Sequence, residues 1–482
     1  MSTHADRLIR LQDSQRILSR QECDAIFKRA SGFAKGGGDT TVEISSWWQG
    51  ELRWARNRVS LASDRRENTV TVHRAVQRGV TGRAQTNQFD DFSLEAAVRA
   101  AERVSRLDAQ GGKGLGFTPP APKYERPQSA IWSDATYDLT TESRGEIVRA
   151  LVGPAEAKAM LSAGYIEVRA GTAAELSTVP NRVTTNEAAY VAWTQAHCST
   201  TVRDSKGTGS GWAGLSSYDW AKINGPKLAE RALEKCLASQ NPVALEPGRY
   251  TVVLEPQAVA DLMSVMDGSF SWRENPETGM RGPWLLTRDE ALGMWRSKLG
   301  LKVVDERITI SHDFNDPELG IVAGQTQWPQ PVKWIDRGVL TNIGHQIGTD
   351  IRSLEGRFAL RGATGYRMSG GSTTVEEMIA TTKRGLLVTR FSNIRELDGS
   401  SLLSTGLTRD GLWLIENGKI SKAVKNFRFT ESPLFMLNSI EQLGVPVPVF
   451  RPTKREGGQL TPAIVPPLKV RDFSFTSMID AV

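Results

Sequence analysis

The chain has 482 residues, 39% hydrophobic and 24% charged. This balance is ordinary for a globular protein and excludes a disordered chain, a collagen and a disulfide-rich mini-protein. The net charge of +6 is small and the basic residues alternate with acidic ones, so the composition does not indicate a nucleic-acid-binding face.

Three features of the sequence indicate the cellular compartment of the protein. No apolar run reaches the ~18 residues that a membrane helix needs. The N-terminal stretch has no apolar core of a secretory signal. Cys23, Cys198 and Cys236 are widely spaced and odd in number, which is typical of free thiols in a reducing compartment. We therefore expect a cytoplasmic protein without a membrane span.

The first predicted domain covers residues 15–107. A helical stretch near Ile26 precedes two strands, with a turn expected at Gly50–Glu51. An amphipathic helix follows, and Ser93 is its expected N-cap. Residues 108–130 are rich in Gly and Pro and are interpreted as a linker.

Two further domains are predicted beyond the linker. The central one, residues 131–239, should contain helices near 141–163, two strands, and a closing helix near 226–239. The third, residues 248–482, opens with a strand and a short apolar helix and then continues mostly as strands. Within it, Asn417–Gly418 predicts a type I′ hairpin, and Thr374 with Glu377 predicts a capping box. The predicted class is α+β, with an N-terminal α/β domain, a middle α/β segment and a C-terminal β-rich domain.

The residues alone offer few candidates for catalysis. The five histidines include no pair at zinc-helix spacing, and the cysteines form no C-x-x-C pair. His312, Asp313, Asp316 and Glu318 could bind a hard cation through carboxylates, or could simply form a turn after a strand. The glycines at 207–211 lack the ending of a phosphate-binding loop.

The order of several motifs resembles the TldD/PmbA family, whose members carry the label "modulators of DNA gyrase" and are regarded as a peptidase system. The motifs run in family order from about residue 20 to residue 480: VHRAVQRGVTGRAQTN, GRYTVVLEPQAVADLM, WIDRGVL, YRMSGGSTTVEEMIATTKRGLLV, PLFMLNSIEQLG and VPPLKVRDFSF.

The resemblance implies dimers, formed either by a TldD-like with a TldE-like subunit or by two identical chains. In the catalytic branch an H-E-x-x-x-H helix and a later cysteine bind zinc, and the glutamate acts as base on a zinc-bound water. The family would act on unfolded or extended peptides.

This chain departs from that pattern at each zinc-binding position. The corresponding helix carries none of the histidines, and no cysteine follows Cys236. The degenerate zinc-helix position is occupied by Ala258, Val259, Asp261, Leu262 and Met263. We therefore transfer no catalytic or metal-binding residue, expect no cofactor in this chain, and expect zinc in a TldD-like partner.

The leading hypothesis is thus a non-catalytic, TldE/PmbA-like subunit of a metallopeptidase complex acting in proteolysis or peptide maturation. Two alternatives stay open: a stand-alone hydrolase with a site around His312, Asp313 and Asp316, and a regulator associated with DNA gyrase. The dispersed charge disfavours nucleic acid as a partner.

Overall fold

The computed structural model describes most of the chain: residues 16–77, 80–111, 131–178, 189–205, 207–267, 269–270, 274–275, 280–289, 294–313, 316, 318–319, 331–343, 365–451 and 462–479. Helices and extensive antiparallel sheets occur together in these ranges, which confirms the predicted α+β class. Within them, no helix combines the length and apolar character needed to cross a membrane.

The helices are mostly short and lie against the sheets. They are α1 Arg20–Gly32, α2 Asp91–Gly111, α3 Asp134–Tyr137, α4 Thr141–Glu156, α5 Gly225–Ala238, α6 Pro256–Asp267, α7 Val375–Ala380 and α8 Pro433–Asn438.

The strands are β1 Asp39–Ala55, β2 Arg58–Gln77, β3 Val80–Thr86, β4 Leu161–Ser177, β5 Ala189–Arg203, β6 Ser210–Ser217, β7 Gly248–Leu254, β8 Glu274–Asn275, β9 Met280–Arg281, β10 Leu285–Asp289, β11 Met294–Ser297, β12 Ile310–His312, β13 Val332–Asp336, β14 Val339–Leu340, β15 Tyr366–Met368, β16 Arg384–Val388, β17 Phe391–Asp398, β18 Leu403–Thr408, β19 Leu412–Glu416, β20 Lys419–Ala423, β21 Phe427–Glu431, β22 Ile440–Leu443, β23 Val447–Pro448, β24 Ala463–Val465 and β25 Leu468–Met478.

The N-terminal half of the chain forms one six-stranded antiparallel sheet with the order β3-β2-β1-β4-β5-β6. The predicted domains 15–107 and 131–239 contribute three strands each to this sheet, and β1 pairs with β4 where they meet. The sheet is therefore continuous across the predicted boundary, and the division into separate domains stays a prediction.

One face of this sheet is apolar and is covered by α4 and α5. Every second residue along these strands points to this face. Trp54, Ile166 and Cys198 are examples, and they pack against Leu151 of α4 and Ala229 of α5. Because successive strand residues point to opposite faces, the residues between them form the other face of the sheet, which is more polar. His197 and Cys198 accordingly lie on opposite faces of β5, as their adjacency predicts.

The expected turn at Gly50–Glu51 is wrong. β1 continues to Ala55, and the hairpin turns at Arg56–Asn57, whose φ angles of 49° and 63° suit a type I′ turn. Gly50 serves packing instead, because a Cβ there would lie 2.1 Å from Nη1 of Arg144. The expected cap of α2 is also wrong, since Asp90 accepts a hydrogen bond from the Ser93 amide at 2.9 Å.

The C-terminal region contains a nine-stranded mixed sheet and a second sheet of six strands. β7 lies between β25 and β16, and α6 follows it directly. The hairpin at Asn417–Gly418 is confirmed, with φ angles of 49° and 78°. The capping box of Thr374 and Glu377 is also confirmed, with both reciprocal hydrogen bonds present.

Candidate functional site

Helix α6 occupies the position at which the family resemblance would put zinc ligands. Ala258, Val259, Leu262 and Met263 are at most 1% exposed and pack into the core of the C-terminal region. Their side chains cannot supply the imidazole, thiolate or carboxylate ligands that zinc takes. The residues present at this position therefore do not fit a zinc site.

Asp261 is the one ionisable residue among the five at the degenerate zinc-helix position. Its two carboxylate oxygens accept hydrogen bonds from Gln257 and Phe391. Oδ1 accepts a hydrogen bond from Gln257 Nε2 at 2.8 Å, and Oδ2 accepts one from the backbone N–H of Phe391 at 2.9 Å. Burial raises the pKa of Asp261, while the nearby Arg390 guanidinium acts in the opposite direction. The carboxyl group thus connects α6 to the start of β17.

Gln257, one turn earlier on α6, holds the backbone of Phe450. Its Nε2 donates to the Phe450 carbonyl at 3.1 Å, and its Oε1 accepts from the Phe450 N–H at 3.0 Å. Phe450 belongs to a short segment, residues 447–451, which we call the strap. The side-chain amide pairs with the strap as the backbone of a neighbouring strand would.

The ring of Phe450 points at the polar face of the N-terminal sheet. It lies edge-on to three rings from three adjacent strands, with centroid distances of 5.9 Å to Tyr165, 6.4 Å to His197 and 5.4 Å to Trp212. We call these three residues the aromatic cup. The next strap residue, Arg451, donates its backbone N–H to Ser216 Oγ at 2.9 Å.

Charged side chains continue from the cup across the same face. Glu167 pairs directly with Glu51 of β1 on one side and with His197 on the other. Arg169 Nε lies 2.8 Å from Glu167 Oε1, and Gln49 Nε2 donates to Glu167 Oε2 at 3.1 Å. Two carboxylates directly opposite each other are unfavourable unless cations or hydrogen-bond donors compensate them.

Burial governs the protonation of this surface. Burial raises the pKa of Glu167, Arg169 acts against that rise, and Glu51 adds to it. Burial, assisted by the Arg169 charge, lowers the pKa of His197 to about 3. His197 Nε2 is 4.0 Å from Glu167 Oε1, which is within ion-pair range, but the imidazole is neutral near pH 7. The arrangement offers a neutral imidazole and a carboxyl group of raised pKa beside an aromatic pocket.

The other candidate group, His312, Asp313 and Asp316, lies at the end of β12 in the second C-terminal sheet. His312 is buried and its Nδ1 lies 2.8 Å from the Gly365 carbonyl. Asp316 receives two hydrogen bonds from Arg367, at 2.6 and 3.0 Å, which lower its pKa although burial acts to raise it. This is the geometry of an ion pair. Among the described residues, no three His, Cys, Asp or Glu side chains are grouped so that they could bind a metal.

Sequence reasoning missed the polar sheet face, Gln257 and Phe450. A signal for the face was present, because polar residues recur at alternate positions in three strands, as at Glu51 and Arg53, Glu167 and Arg169, and Gln195 and His197. Nothing local marks Gln257 or Phe450, since their roles arise from a contact between distant segments.

Comparison with known proteins gives a match to a domain family model and a shared fold. Residues 247–477 match the family model described as the PmbA/TldA metallopeptidase C-terminal domain. No curated protein sequence matches the chain significantly.

Three solved structures share the fold at identities too low to show more than the fold. A modulator of DNA gyrase from Bacteroides thetaiotaomicron superposes with a TM-score of 0.74 at 17% identity, covering 95% of this chain and 100% of that one. TldE from Thermococcus kodakarensis gives 0.73 at 15% identity, and a modulator of a DNA gyrase from Thermotoga maritima gives 0.73 at 16%. Each of these two matches covers 94% of this chain and 100% of the other.

Proposed function

Since the chain belongs to the TldD/PmbA family, we propose that it is a non-catalytic, TldE/PmbA-like subunit of a metallopeptidase complex that acts in proteolysis or peptide maturation. The observation that carries the proposal is the composition of α6. Ala258, Val259, Leu262 and Met263 are buried in the core. Gln257 and Asp261 bind the backbone of Phe450 and Phe391. A catalytic subunit would need imidazole ligands here.

The proposed partner is a TldD-like subunit that brings the zinc and the catalytic base. A homodimer is the alternative assembly. The proposed substrate is an unfolded or extended peptide, which the complex would enclose before the partner cleaves it. The proposed location is cytoplasmic, and the three cysteines, all buried and free, support a reducing environment.

Reconstitution tests this function. The chain would be purified alone and together with a TldD-like protein carrying H-E-x-x-x-H, and both samples would be assayed for bound zinc and for cleavage of a casein-derived peptide. We expect the chain alone to hold less than about 0.1 zinc per chain and to cleave nothing, because it lacks the ligands that metal-assisted hydrolysis needs.

The matched control changes the glutamate of the partner's H-E-x-x-x-H motif to glutamine, and cleavage by the mixed complex should then be lost. His312→Ala in this chain should leave the activity of the complex unchanged. Zinc-dependent cleavage by the isolated chain would refute the proposal. So would a loss of the complex's cleavage activity on His312→Ala.

A further inference from the structure

The strap is held in the manner of a bound peptide. Three consecutive residues each have their backbone fixed: the Val449 N–H donates to the Ala463 carbonyl at 3.2 Å, Gln257 pairs with Phe450, and the Arg451 N–H donates to Ser216 Oγ. The last two partners are side chains on α6 and β6. Main-chain hydrogen bonds combined with a pocket for one side chain are the usual way in which proteins bind extended peptides.

The aromatic cup is formed by side chains of three paired strands. Trp212 lies flat over Gly214, where a Cβ would come within 2.6 Å of its Cζ2, and the Arg390 guanidinium lies 4.5 Å from its ring centroid. His197 is fully buried, and its Nε2 has no hydrogen-bond partner among the described residues. The sheet therefore defines the cup from below, and Phe450 fills it from above.

The Phe450 ring lies outside the hydrophobic cores, whereas the preceding strap residue, Val449, is buried in the core of the C-terminal region. Phe450 is only half-buried although three rings surround it, and it is not a member of any hydrophobic cluster among the described residues. The polar groups around it also differ from those of a sealed core. Gln257 and Ser216 would satisfy the backbone of any extended segment in this place, because an amide and a hydroxyl recognise no particular side chain.

We propose that the strap is an internal ligand, and that the aromatic cup with Gln257 and Ser216 is a binding site for an extended peptide carrying an aromatic side chain, which this chain occupies with its own Phe450. A peptide binds when Phe450 and Arg451 withdraw from the cup, while Val449 stays in the core. The inference rests on the proposed function only in taking a peptide as the competing ligand.

Binding of the strap sequence in trans tests the site. The probe is a fluorescein-labelled peptide with the sequence of residues 446–451, PVPVFR, and its matched control is PVPVAR. Polarisation is measured with the full chain, with Phe450→Ala, and with Phe435→Ala, which removes an exposed phenylalanine on α8. We expect Phe450→Ala to bind PVPVFR at least about tenfold more tightly than the unaltered chain does, because the pocket is then empty. PVPVAR should bind to Phe450→Ala at least about tenfold more weakly than PVPVFR does. Phe435→Ala should bind PVPVFR as the unaltered chain does.

Two further variants separate pocket binding from other causes. Adding Trp212→Ala to Phe450→Ala should abolish the gained binding, because one wall of the cup is removed. Gln257→Ala removes the two backbone hydrogen bonds that the site offers either to the strap or to the probe. Alone it should leave PVPVFR binding as weak as in the unaltered chain, and added to Phe450→Ala it should reduce the gained binding.

The proposal is overturned if folded Phe450→Ala gains no binding, if both peptides bind equally, or if Phe450→Ala and Gln257→Ala both fail to fold, since the strap would then be core. Zinc content and cleavage do not enter this readout. The proposed function can therefore fail in the reconstitution while the strap result stands, and the reverse also holds.

Discussion

At the scale of single residues, His197 is the clearest case of a side chain whose state is set by its surroundings. It is a fully buried member of the aromatic cup beside Glu167, and its Nδ1 lies 2.8 Å from Ser216 Oγ. Because Ser216 Oγ already accepts the Arg451 N–H, its own hydrogen is free to be donated to Nδ1. The simplest network then has the imidazole proton on Nε2, facing Glu167.

This burial predicts acid sensitivity. The pKa of His197 is about 3 in the folded protein and about 6.5 when exposed, so the unfolded state binds the extra proton and stability falls as the pH drops from about 6.5 towards 3. In His197→Gln, the loss of unfolding free energy between pH 7 and pH 4 should be about 3 kcal/mol smaller than in the unaltered chain. Urea titrations at the two pH values measure it. Ser216→Ala keeps the imidazole and should keep the full pH dependence; an equal dependence in His197→Gln would contradict this explanation.

At the scale of elements, the N-terminal sheet repeatedly places a glycine beneath a tryptophan. Gly164 faces Trp54 and Gly171 faces Trp193 across neighbouring strands, while Gly214 lies under Trp212 within β6. A strand glycine normally weakens a sheet. Here each missing side chain leaves room for an indole to lie flat, which lets the wide rings pack on both faces of the sheet.

Gly171→Ala should therefore be costly despite its small size. The new Cβ would lie 2.4 Å from Trp193 Cζ2, so the indole must move, and overpacking of this kind costs about 1–3 kcal/mol. The control is Gly145→Ala in α4, where nothing lies within 4 Å and alanine favours the helix by up to about 1 kcal/mol. Thermal unfolding should show a lower midpoint for the first variant and an equal or higher one for the second. A midpoint unchanged by Gly171→Ala would show that the indole yields freely.

Local chemistry explains which elements the sequence predicts well. The hairpin at Asn417–Gly418 and the capping box at Thr374 depend on residues within four positions of each other, and both are confirmed. The turn at Gly50 failed because a glycine can serve either backbone conformation or packing. That choice is decided by Arg144, which is remote in the sequence.

At the scale of the whole molecule, polar contacts join the N-terminal sheet and its helices to the C-terminal region. Glu255, immediately before α6, forms ion pairs with two residues of α5. Its Oε2 lies 2.7 Å from Lys235 Nζ and 3.1 Å from Arg231 Nη2. Ser210 donates to Asp410 at 2.6 Å, and Trp413 Nε1 donates to the Ala238 carbonyl at 3.0 Å. Burial lowers the pKa of Lys235, and the Glu255 carboxylate opposes that effect.

Glu255→Gln should loosen this junction. It leaves the nearly buried Lys235 ammonium without its counter-charge, a change that typically costs about 3 kcal/mol. The control is Glu306→Gln, which removes an exposed pair with Lys302 and should cost less than about 0.5 kcal/mol. Urea unfolding together with limited trypsin digestion measures both. Equal effects of the two substitutions would show that the junction does not depend on this pair.

The candidate site belongs to this largest scale, and for that reason the sequence predicted only part of it. The apolar character of α6 and the missing zinc ligands are readable from residues 256–267 alone. The cup requires Tyr165, His197 and Trp212 to align across three strands. Phe450 of the strap then reaches them from 238 to 285 positions further along the chain. Pairing registers of that range leave no local pattern.

The pairing of β1 with β4 also has a consequence for synthesis. Thr40 and Thr178, at one end of this pairing, are 138 positions apart, and the segment between them contains β2, β3 and two long helices. On the ribosome the first hairpin must wait, with one long edge unpaired, until the distant strand emerges. An unpaired strand edge can bind chaperones or other nascent chains. We therefore expect the slowest and most aggregation-prone stage of folding to precede the pairing of β1 with β4.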